Sequence, residues 1–479
     1  MSTVYARLRV TDPARWRAVA LAWRRWAALA GALCGEFGPA AARLREVWSG
    51  AAADAAVARL GGFRRRLVLF RLFCWRADQA LSEFAAALAR ARTLLDRARR
   101  RAGRSGLVID DDGAVRGPAA DARPVAADLA LAITVAARAD EAAAARLGGL
   151  TGAATPPADP VRPGCTAAPA EVRRWWATLS PAERNWVLAT EPGSVASTDG
   201  IPAADRDLAN RLLLEQHRAD LGRLSRGTGG LDELTARLED DAGPRAYLMG
   251  LDTAGDGRAV VALGDPDRAG NVLTHVPGMT SDLASLGGEL TRAERVAVRA
   301  AELGPAQSTS AVLWLDYDAP DFLHEAFSDR QARDGAPELR RFQDGLRATH
   351  DGPRAAQTVL GHSYGSLVVG ESAASGPLEA DRVVLVGSPG VGVDSAAQLT
   401  VPAERVWSST SLTDPIQYLA VRPGTGELWF GENPSGPDFG ARGFRSQPDA
   451  GHLGYWDVGR PALDALATLA LGGEPVTRR

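Results

Sequence analysis

Lysine is missing from this sequence, so all 55 of its basic residues are arginine. Alanine and glycine are abundant, and the combination indicates the coding bias of a GC-rich genome rather than an arginine-specific function. The formal net charge is −3 and the isoelectric point is about 6.1. This overall balance points to neither a nucleic-acid surface nor an anionic membrane, so we expect no nucleic-acid partner.

Cysteine is also scarce, with only Cys34, Cys74 and Cys165. An odd and sparse set does not build a disulfide framework, which favours a reducing compartment. The N-terminus has no basic region followed by an apolar core and a small-residue cleavage site, so no signal peptide is predicted. No stretch of about 18 uncharged apolar residues occurs, so no membrane span is predicted. The default expectation is a cytoplasmic protein.

The length of 479 residues is too great for one hydrophobic core and predicts two or three domains. Residues 148–170 are rich in glycine, proline and alanine, which is typical of a linker. We therefore expect a helical domain over residues 1–147 before this linker. After it we expect a helical connecting segment over 171–240, which packs on an α/β domain over 241–479.

Two long helices are predicted in the first 100 residues. Asp12 and Pro13 suit the start of the first helix, as N-cap and first helical residue. Apolar residues then recur at spacings of three and four, the pattern of a heptad seam. The first seam comprises Trp16, Val19, Trp23, Trp26, Ala30, Leu33, Phe37, Ala40, Leu44 and Val47, and the second runs from Leu60 to Leu95. The break at "WSG", residues 48–50, predicts an antiparallel helical hairpin.

The hairpin excludes one disulfide. With the turn near Ser49, the residue opposite Cys34 lies near position 64, ten residues before Cys74. At about 1.5 Å per residue the two cysteines are offset by roughly 15 Å, whereas a disulfide needs Cα atoms within about 7 Å. Cys74 is therefore expected to be a core residue.

A helical hairpin with Trp48-Ser49-Gly50 at its turn resembles the W-x-G superfamily of small type VII secretion substrates, over roughly residues 1–100. The resemblance implies type VII-dependent export, or self-association or a helical partner that binds through the hairpin. The family's export signal is a tyrosine four residues before an acidic residue, near the end of the second helix. That signal is missing, because no tyrosine occurs between Tyr5 and Tyr247.

Two shorter features are predicted before residue 245. The segment "GLVIDDDGAVRG", residues 106–117, indicates a β-hairpin around an Asp-Gly turn. In "LSPAER", Ser180 is the expected N-cap of a helix, with Glu183 as its capping-box partner.

From residue 245 the pattern changes to short apolar runs bounded by glycine and aspartate. These runs are "RAYLMGL", "GRAVVALG", "NVLTHVPG", "STSAVLWLDY", "QTVLGHS", "DRVVLVGSPG", "ERVWSST" and "GELWFG". Helical patterns at 284–303, 337–350, 365–375 and 459–471 separate most of them. Strands alternating with helices predict an α/β fold class, with a mostly parallel sheet flanked by helices and an antiparallel hairpin at its start.

The segment "TVLGHSYGSLVVG", residues 358–370, contains a G-x-S-x-G pattern around Ser363. The pattern is weak by itself, but a strand end precedes it and a helix start follows it, which is the context of a nucleophile elbow. A serine in such an elbow has a strained backbone, and the residues two before and two after it must be small. Gly361 and Gly365 meet that requirement.

The blocks "VPGM", "GHSYGS", "GSPGVGVD", "TDPI" and "GHLGYWD" occur in this order between residues 245 and 471. This part of the chain resembles the alpha/beta-hydrolase superfamily, and within it a branch of high-GC bacteria that has a helical segment before the catalytic domain. The resemblance implies a C-terminal alpha/beta-hydrolase fold, preceded here by the all-α region, and a Ser-His-Asp triad.

The order of the triad in that superfamily is serine, acid, histidine, and His452 is the only histidine after Ser363. Asp414 follows the seventh predicted strand and is favoured as the acid, with Asp394, after the sixth, as the alternative. His362 is expected to pack or to form a hydrogen bond.

An oxyanion hole needs two backbone N–H groups. The residue after the serine, Tyr364, is one candidate donor. Met279, in the block "VPGM" after the third predicted strand, is the other.

These residues predict a metal-independent serine hydrolase without a cofactor, a carboxylesterase or lipase-like enzyme that acts on a small ester or lipid. Acyl transfer or perhydrolysis would use the same motifs. The alternative is a secretion-associated or interaction protein in which the helical domain dominates.

Overall fold

The computed structural model describes residues 2–158, 161–223, 230–240, 243–419, 421 and 429–477. The chain divides into two units. The first comprises Met1–Arg162 and Trp176–Pro192, and the second comprises Pro163–Trp175 and Gly193–Arg479.

The first unit is mainly helical. Its elements, with α5 beginning in the second unit, are α1 (Ser2–Val10), α2 (Pro13–Val47), α3 (Ala51–Arg104), β1 (Val108–Ile109), β2 (Val115–Arg116), α4 (Ala119–Gly148), α5 (Pro169–Thr178) and α6 (Pro181–Thr190). The Asp12 carboxylate accepts a hydrogen bond from the Ala14 N–H, so the expected N-cap of α2 is confirmed. Strands β1 and β2 pair antiparallel, which confirms the hairpin expected from the Asp-Gly turn.

Helices α2 and α3 run antiparallel along each other. The ring of Trp16 lies 5.1 Å from that of Phe84, and near the other end Phe37 stacks on Phe63 at 6.3 Å. Residues 48–50 lie between the two helices, where Gly50 has a φ of 101° that favours glycine.

The two helical cysteines are not bonded to each other. The Cys34 thiol lies 3.8 Å from the carbonyl oxygen of Arg64, the position that the turn at Ser49 predicts. Cys74 is fully buried, and burial raises the pKa of its thiol to about 11. The expected absence of a Cys34–Cys74 disulfide is therefore confirmed.

The heptad seam on α2 describes the buried face only in part, because Ala30 is buried and Trp16 and Phe37 contact α3 while other seam residues are exposed. Val19, Trp26 and Leu33 are 43%, 56% and 54% exposed. The buried stripe is Ala20, Arg24, Ala27, Ala30 and Cys34. The physical reason is the buried ion pair of Arg24 with Asp78, whose Nη2 and Oδ1 atoms are 3.0 Å apart. Separating the pair would leave a buried charge without a partner, so the side of α2 that carries Arg24 faces α3. The small side chains beside this pair let the helices approach each other.

Residues 176–192 belong to the first unit, whereas the sequence pattern places them in a segment on the second. The contacts of α6 explain this grouping. The Asn185 side chain donates hydrogen bonds to the carbonyls of Thr151 and Ala153, at 3.0 and 3.1 Å. The helix itself begins at the expected capping box of Ser180 and Glu183.

The second unit is built around one sheet. Its helices are α7 (Gly193–Ala196), α8 (Ala203–Arg223), α9 (Gly230–Glu239), α10 (Leu286–Leu303), α11 (Arg330–Thr349), α12 (Tyr364–Ala374), α13 (Ile416–Leu419) and α14 (Pro461–Ala470). Its strands are β3 (Ala246–Asp252), β4 (Arg258–Leu263), β5 (Asn271–Val276), β6 (Thr309–Leu315), β7 (Ala356–His362), β8 (Arg382–Val386), β9 (Val406–Ser409) and β10 (Arg442–Gly443).

The eight strands described have the order β10-β9-β8-β7-β5-β6-β4-β3. All neighbours are parallel except β3 with β4 and β4 with β6, so the predicted antiparallel hairpin at the start of the sheet is confirmed. The predicted strand "GELWFG" lies partly outside the described residues. Its residues 426–428 lie outside the described residues, and Phe430 forms a single bridge with Gly390.

Both faces of the sheet are covered. On β7, Val359 belongs to the larger hydrophobic cluster and Leu360 to the smaller one, and Val383 and Val384 divide in the same way on β8. Because successive side chains of a strand point to opposite faces, the two clusters are the two faces. Helices α11 and α12 cover the face with the larger cluster, and α14 covers the face with the smaller one. This is the α/β arrangement that the sequence predicts.

Within the described residues, no helix combines the length and the apolarity needed to cross a membrane.

Candidate active site

Ser363 lies at the join between β7 and α12, with φ 53° and ψ −129°. Among the described residues, only Ser363 and Thr280 are non-glycine residues with positive φ. Residues with a side chain rarely adopt this backbone conformation, and residues strained in this way are often found at functional sites. Both strained residues lie at the carboxyl ends of neighbouring parallel strands, β7 and β5.

Three glycines allow the backbone to pack closely around Ser363. A Cβ atom at Gly361 would lie 2.5 Å from Ser366 Cα, and one at Gly365 would lie 2.3 Å from the carbonyl oxygen of Val276. A Cβ at Gly278, in the loop after β5, would lie 2.7 Å from Ser363 Cβ. No side chain fits at these positions, so the small residues expected at 361 and 365 have a steric cause.

Hydrogen bonds hold the turn in place. The Ser363 N–H donates to the carbonyl of Val386 at the end of β8, at 3.0 Å. The Ser366 hydroxyl lies 2.6 Å from the Ser363 carbonyl and 2.7 Å from Ser388 Oγ. The backbone of Ser363 is thereby tied to the next strand, while its side chain remains partly exposed.

His452 and Asp414 are in contact. Asp414 follows β9 and is fully buried, and its Oδ1 lies 2.8 Å from His452 Nδ1. The Tyr455 hydroxyl donates to the other carboxylate oxygen at 2.6 Å, and the Ile416 N–H donates to Oδ1 at 2.9 Å. The carboxylate therefore holds the His452 ring by Nδ1 and leaves Nε2 available.

The pKa of Asp414 reflects two opposing effects. Burial by itself raises it, but the hydrogen bonds from His452 and Tyr455 and the charge of His452 favour the ionised form. The second effect is larger, so the pKa lies below its ordinary value and Asp414 is a carboxylate at neutral pH.

Asp394 lies in a different environment. It is exposed, and its backbone N–H and that of Ser395 both donate to Gln398 Oε1 at 2.9 Å, at the start of a short 3-10 helix. Asp394 makes no contact with His452 among the described residues.

The ring of His362 packs against the ring of His452. Its ring centre is 4.7 Å from that of His452, and its Nε2 lies 2.9 Å from the His452 carbonyl oxygen. Burial lowers the pKa of His362 to about 3, and the charge of His452 contributes to this shift. The ring is therefore neutral, and because a carbonyl only accepts, Nε2 carries the proton. The expected packing and hydrogen-bonding role is confirmed.

The loop after β5 holds the second candidate donor of the oxyanion hole. The Tyr317 hydroxyl donates to the Pro277 carbonyl at 2.7 Å, and the Thr280 N–H donates to the Pro320 carbonyl at 2.8 Å. The N–H groups of Met279 and Tyr364 have no acceptor among the described residues. A helix leaves its first N–H groups without intrahelical partners, so that of Tyr364 is available to a ligand.

Sequence reasoning missed Gly387 and Tyr455. A Cβ at Gly387, which has a φ of 55°, would lie 2.7 Å from Asp414 Oδ2 and 3.3 Å from His452 Nδ1. Its place at the end of a strand, in "GSPG", is a signal that marks it as a tight turn. For Tyr455 no signal exists, because only the fold brings its hydroxyl to Asp414.

Ser363 Oγ and His452 are not hydrogen-bonded to each other in the described structure. Both residues contact the same short segment at the end of β8. The Val386 carbonyl accepts a hydrogen bond from the Ser363 N–H, and the next residue, Gly387, lies against the His452 ring. Catalytic hydrogen bonds are often long until a substrate binds. Within the described residues, no three His, Cys, Asp or Glu side chains are grouped to hold a metal ion.

Comparison with known proteins identifies the family of this part of the chain. Residues 252–422 match the alpha/beta hydrolase family, and the matched stretch contains Met279, Ser363 and Asp414. The second unit therefore contains an alpha/beta hydrolase domain.

Its relatives include mycobacterial proteins. Uncharacterized protein Rv2079 of Mycobacterium tuberculosis is 31% identical over 401 residues, which cover 70% of this chain and 61% of that protein. Uncharacterized protein Rv0963c of the same species and Mb0988c of Mycobacterium bovis are each 36% identical over 185 residues, which cover 36% of this chain and 69% of each relative. The chain thus spans less than two thirds of the length of Rv2079.

A buried neutral His362 should make stability depend on pH. Its folded pKa of about 3 lies below the ordinary 6.5, so the unfolded chain binds the proton first. The stability it contributes is complete above about pH 6.5 and is lost as the pH falls toward 3, at about 1.4 kcal/mol per pH unit. His362→Gln keeps a donor and cannot titrate. In denaturant unfolding between pH 6 and 4.5, the free energy of unfolding of wild type should fall by about 1.4 kcal/mol per pH unit more than that of the variant.

The exposed His324 provides the control for this measurement. His324→Gln should leave the pH dependence of wild type unchanged. Parallel stability curves for wild type and His362→Gln would contradict a neutral, buried His362.

Proposed function

We propose that the second unit is a serine hydrolase that cleaves esters through an acyl-enzyme. The observation that carries the proposal is the strained Ser363, on a strand-to-helix turn, next to a hydrogen-bonded pair of Asp414 and His452. This combination of a nucleophile, a base and an orienting acid is what acyl transfer requires.

In the proposed reaction Ser363 Oγ attacks the acyl carbon while His452 Nε2 accepts its proton. Asp414 keeps Nδ1 protonated and stabilises the imidazolium that forms, because its low pKa keeps it ionised. His452 then donates the proton to the leaving alcohol. Water, activated by the same histidine, attacks the acyl-enzyme and releases the acid.

The oxyanion of the tetrahedral intermediate would be bound by the N–H groups of Tyr364 and Met279. Two features support this assignment. Neither group has another acceptor among the described residues, and Gly278 brings the Met279 loop against Ser363. Tyr364 is also the first residue of α12, so the positive end of the helix dipole faces the developing charge.

An apolar ester is the proposed substrate, as for a carboxylesterase or lipase. Large apolar side chains are exposed in the segments that follow β6 and β9 and beside His452. They are Phe322 (60%), Leu323 (55%), Leu412 (61%), Tyr418 (72%) and Leu453 (57%). Leu412 and Leu453 lie two residues and one residue from Asp414 and His452. Large apolar side chains exposed beside catalytic residues are candidates for a substrate-binding surface.

The export role implied by the W-x-G resemblance stays a prediction. Trp48, Ser49 and Gly50 do lie between two antiparallel helices, but the tyrosine signal is absent from that part of the sequence.

Labelling with a fluorophosphonate probe tests the nucleophile. Wild type should become covalently labelled, and Ser363→Ala should lose all labelling, because the probe reacts only with an activated serine. Ser308→Ala is the matched control, since Ser308 lies before β6, at the opposite end of the sheet from the site. Equal labelling of wild type and Ser363→Ala would disprove the assignment.

Two aspartate variants test the acid. Asp414→Asn should lower kcat for a nitrophenyl ester on the order of 10³–10⁴-fold, because an amide favours the wrong tautomer of His452. Asp394→Asn should retain nearly full activity, since Asp394 is exposed and Ser395, not Asp394, caps the short helix that follows. The reverse pattern would make Asp394 the acid.

A series of nitrophenyl esters tests the substrate class. We expect kcat/KM to rise by roughly fourfold per added methylene until the binding surface is filled, from about 0.8 kcal/mol per buried CH₂. The double variant Leu412→Ser with Leu453→Ser should flatten this rise and leave the shortest ester unaffected. Val298→Ser, at an exposed valine on α10, is the control. A flat profile in wild type would argue against an apolar substrate.

A further inference from the structure

The charge of this chain is unevenly distributed. Residues 1–104, which include α1 to α3, contain 21 arginines and seven acidic residues, a net formal charge of +14. Because the whole chain has a net charge of −3, the remaining 375 residues carry −17. The nearly neutral total therefore conceals a strongly basic helical part.

An unburied apolar flank runs along α2 in this basic part. We use "apolar flank" for Val19, Trp26, Leu29 and Leu33, which are 43%, 56%, 58% and 54% exposed. Their spacings of seven, three and four residues place them on one side of the helix. Val47 and Trp48, at the end of the same helix, are 82% and 47% exposed. Large apolar side chains exposed in a row mark a contact surface.

Arginines accompany the apolar flank. Arg15 and Arg25 are exposed and lie one turn before Val19 and Leu29, on the same side of α2. Neither forms an ion pair with a described residue. The first acidic residue within α2 is Glu36, beyond the apolar flank. The flank therefore combines apolar contact area with uncompensated positive charge.

Helix α3 continues this composition beside α2. Arg64, Arg65 and Arg66 form an exposed run, and Phe63 beside them is 43% exposed. The guanidinium of Arg66 lies 5.9 Å from the centre of the Phe63 ring. Basic and aromatic side chains therefore also occur on α3, at the level of Cys34 in α2.

An anionic lipid surface matches both properties. A helix lying in a membrane interface buries Trp and Leu at the boundary of the acyl chains and places arginines among the headgroups. Each basic residue near an anionic surface contributes about 1 kcal/mol. A nucleic acid would use the arginines and leave Trp26, Leu29 and Leu33 exposed. A second copy would bring the like-charged flanks together, because a twofold interface pairs the same patch with itself.

We propose that the N-terminal helices bind the surface of an anionic membrane, with the apolar flank of α2 in the interface. The attachment is peripheral, and it needs neither Ser363 nor any step of the proposed hydrolysis.

Vesicle sedimentation of the full-length protein tests this proposal. Wild type should bind vesicles of phosphatidylglycerol and phosphatidylcholine, bind weakly to phosphatidylcholine alone, and lose affinity as salt is raised. The triple variant Trp26→Ser, Leu29→Ser, Leu33→Ser should bind at least tenfold more weakly. Arg15→Gln with Arg25→Gln should lose roughly fivefold per arginine. These side chains are exposed, so the variants should fold, which circular dichroism checks.

A matched control removes exposed apolar side chains outside the basic part. Val298→Ser with Val476→Ser should bind vesicles as wild type does. Absence of vesicle binding, or equal binding to neutral vesicles, would overturn the proposal. So would a dimer in light scattering that the triple variant abolishes, or duplex DNA binding that the triple variant retains without any vesicle binding. Ser363→Ala should bind vesicles normally, which separates this outcome from that of the esterase assays.

Discussion

The backbone is tightly packed around Ser363, and the rest of the candidate site depends on this packing. Positions 278, 361 and 365 have no room for a Cβ atom, since each would overlap with backbone or with Ser363 itself. The chain can turn from β7 into α12 within one residue only because these positions are glycine. The turn gives Ser363 a positive φ and places its side chain at the carboxyl end of β7. The N-terminus of α12 begins at the same position.

Two ionisable groups near this turn, Asp414 and His362, are buried, and each has hydrogen bonds that compensate for the loss of water. Asp414 is fully buried and ionised, which would be unfavourable without the hydrogen bonds from His452, Tyr455 and the Ile416 N–H. His362 is buried in the opposite way, as a neutral ring that donates one hydrogen bond. As a result His452 is held twice, by its ring at Nδ1 and by its backbone carbonyl.

The helical part shows where pattern reading has a physical limit. The repeat of three and four describes α2 correctly as an amphipathic helix, but it does not say which flank faces α3. That choice depends on the rotation of the helix, which the buried pair of Arg24 and Asp78 and the adjacent alanines set. Val19, Trp26 and Leu33 consequently remain exposed. The net charge of the whole chain has a similar limit, because averaging conceals the basic helices beside an acidic remainder.

Local chemistry in the sequence determined the elements that need no partner from elsewhere in the chain. The cap at Asp12, the capping box at Ser180, the order of strands and helices after residue 245 and the glycines around Ser363 all follow from neighbours a few residues apart. Sequence order also singled out His452, because it is the last histidine. The tertiary structure alone decided which distant groups meet: Asp414 rather than Asp394 beside His452, Tyr455 on the carboxylate, Gly387 beneath the pair, and residues 442–443 as the edge of the sheet. These contacts depend on how strands far apart in the chain align, and no local pattern encodes that alignment.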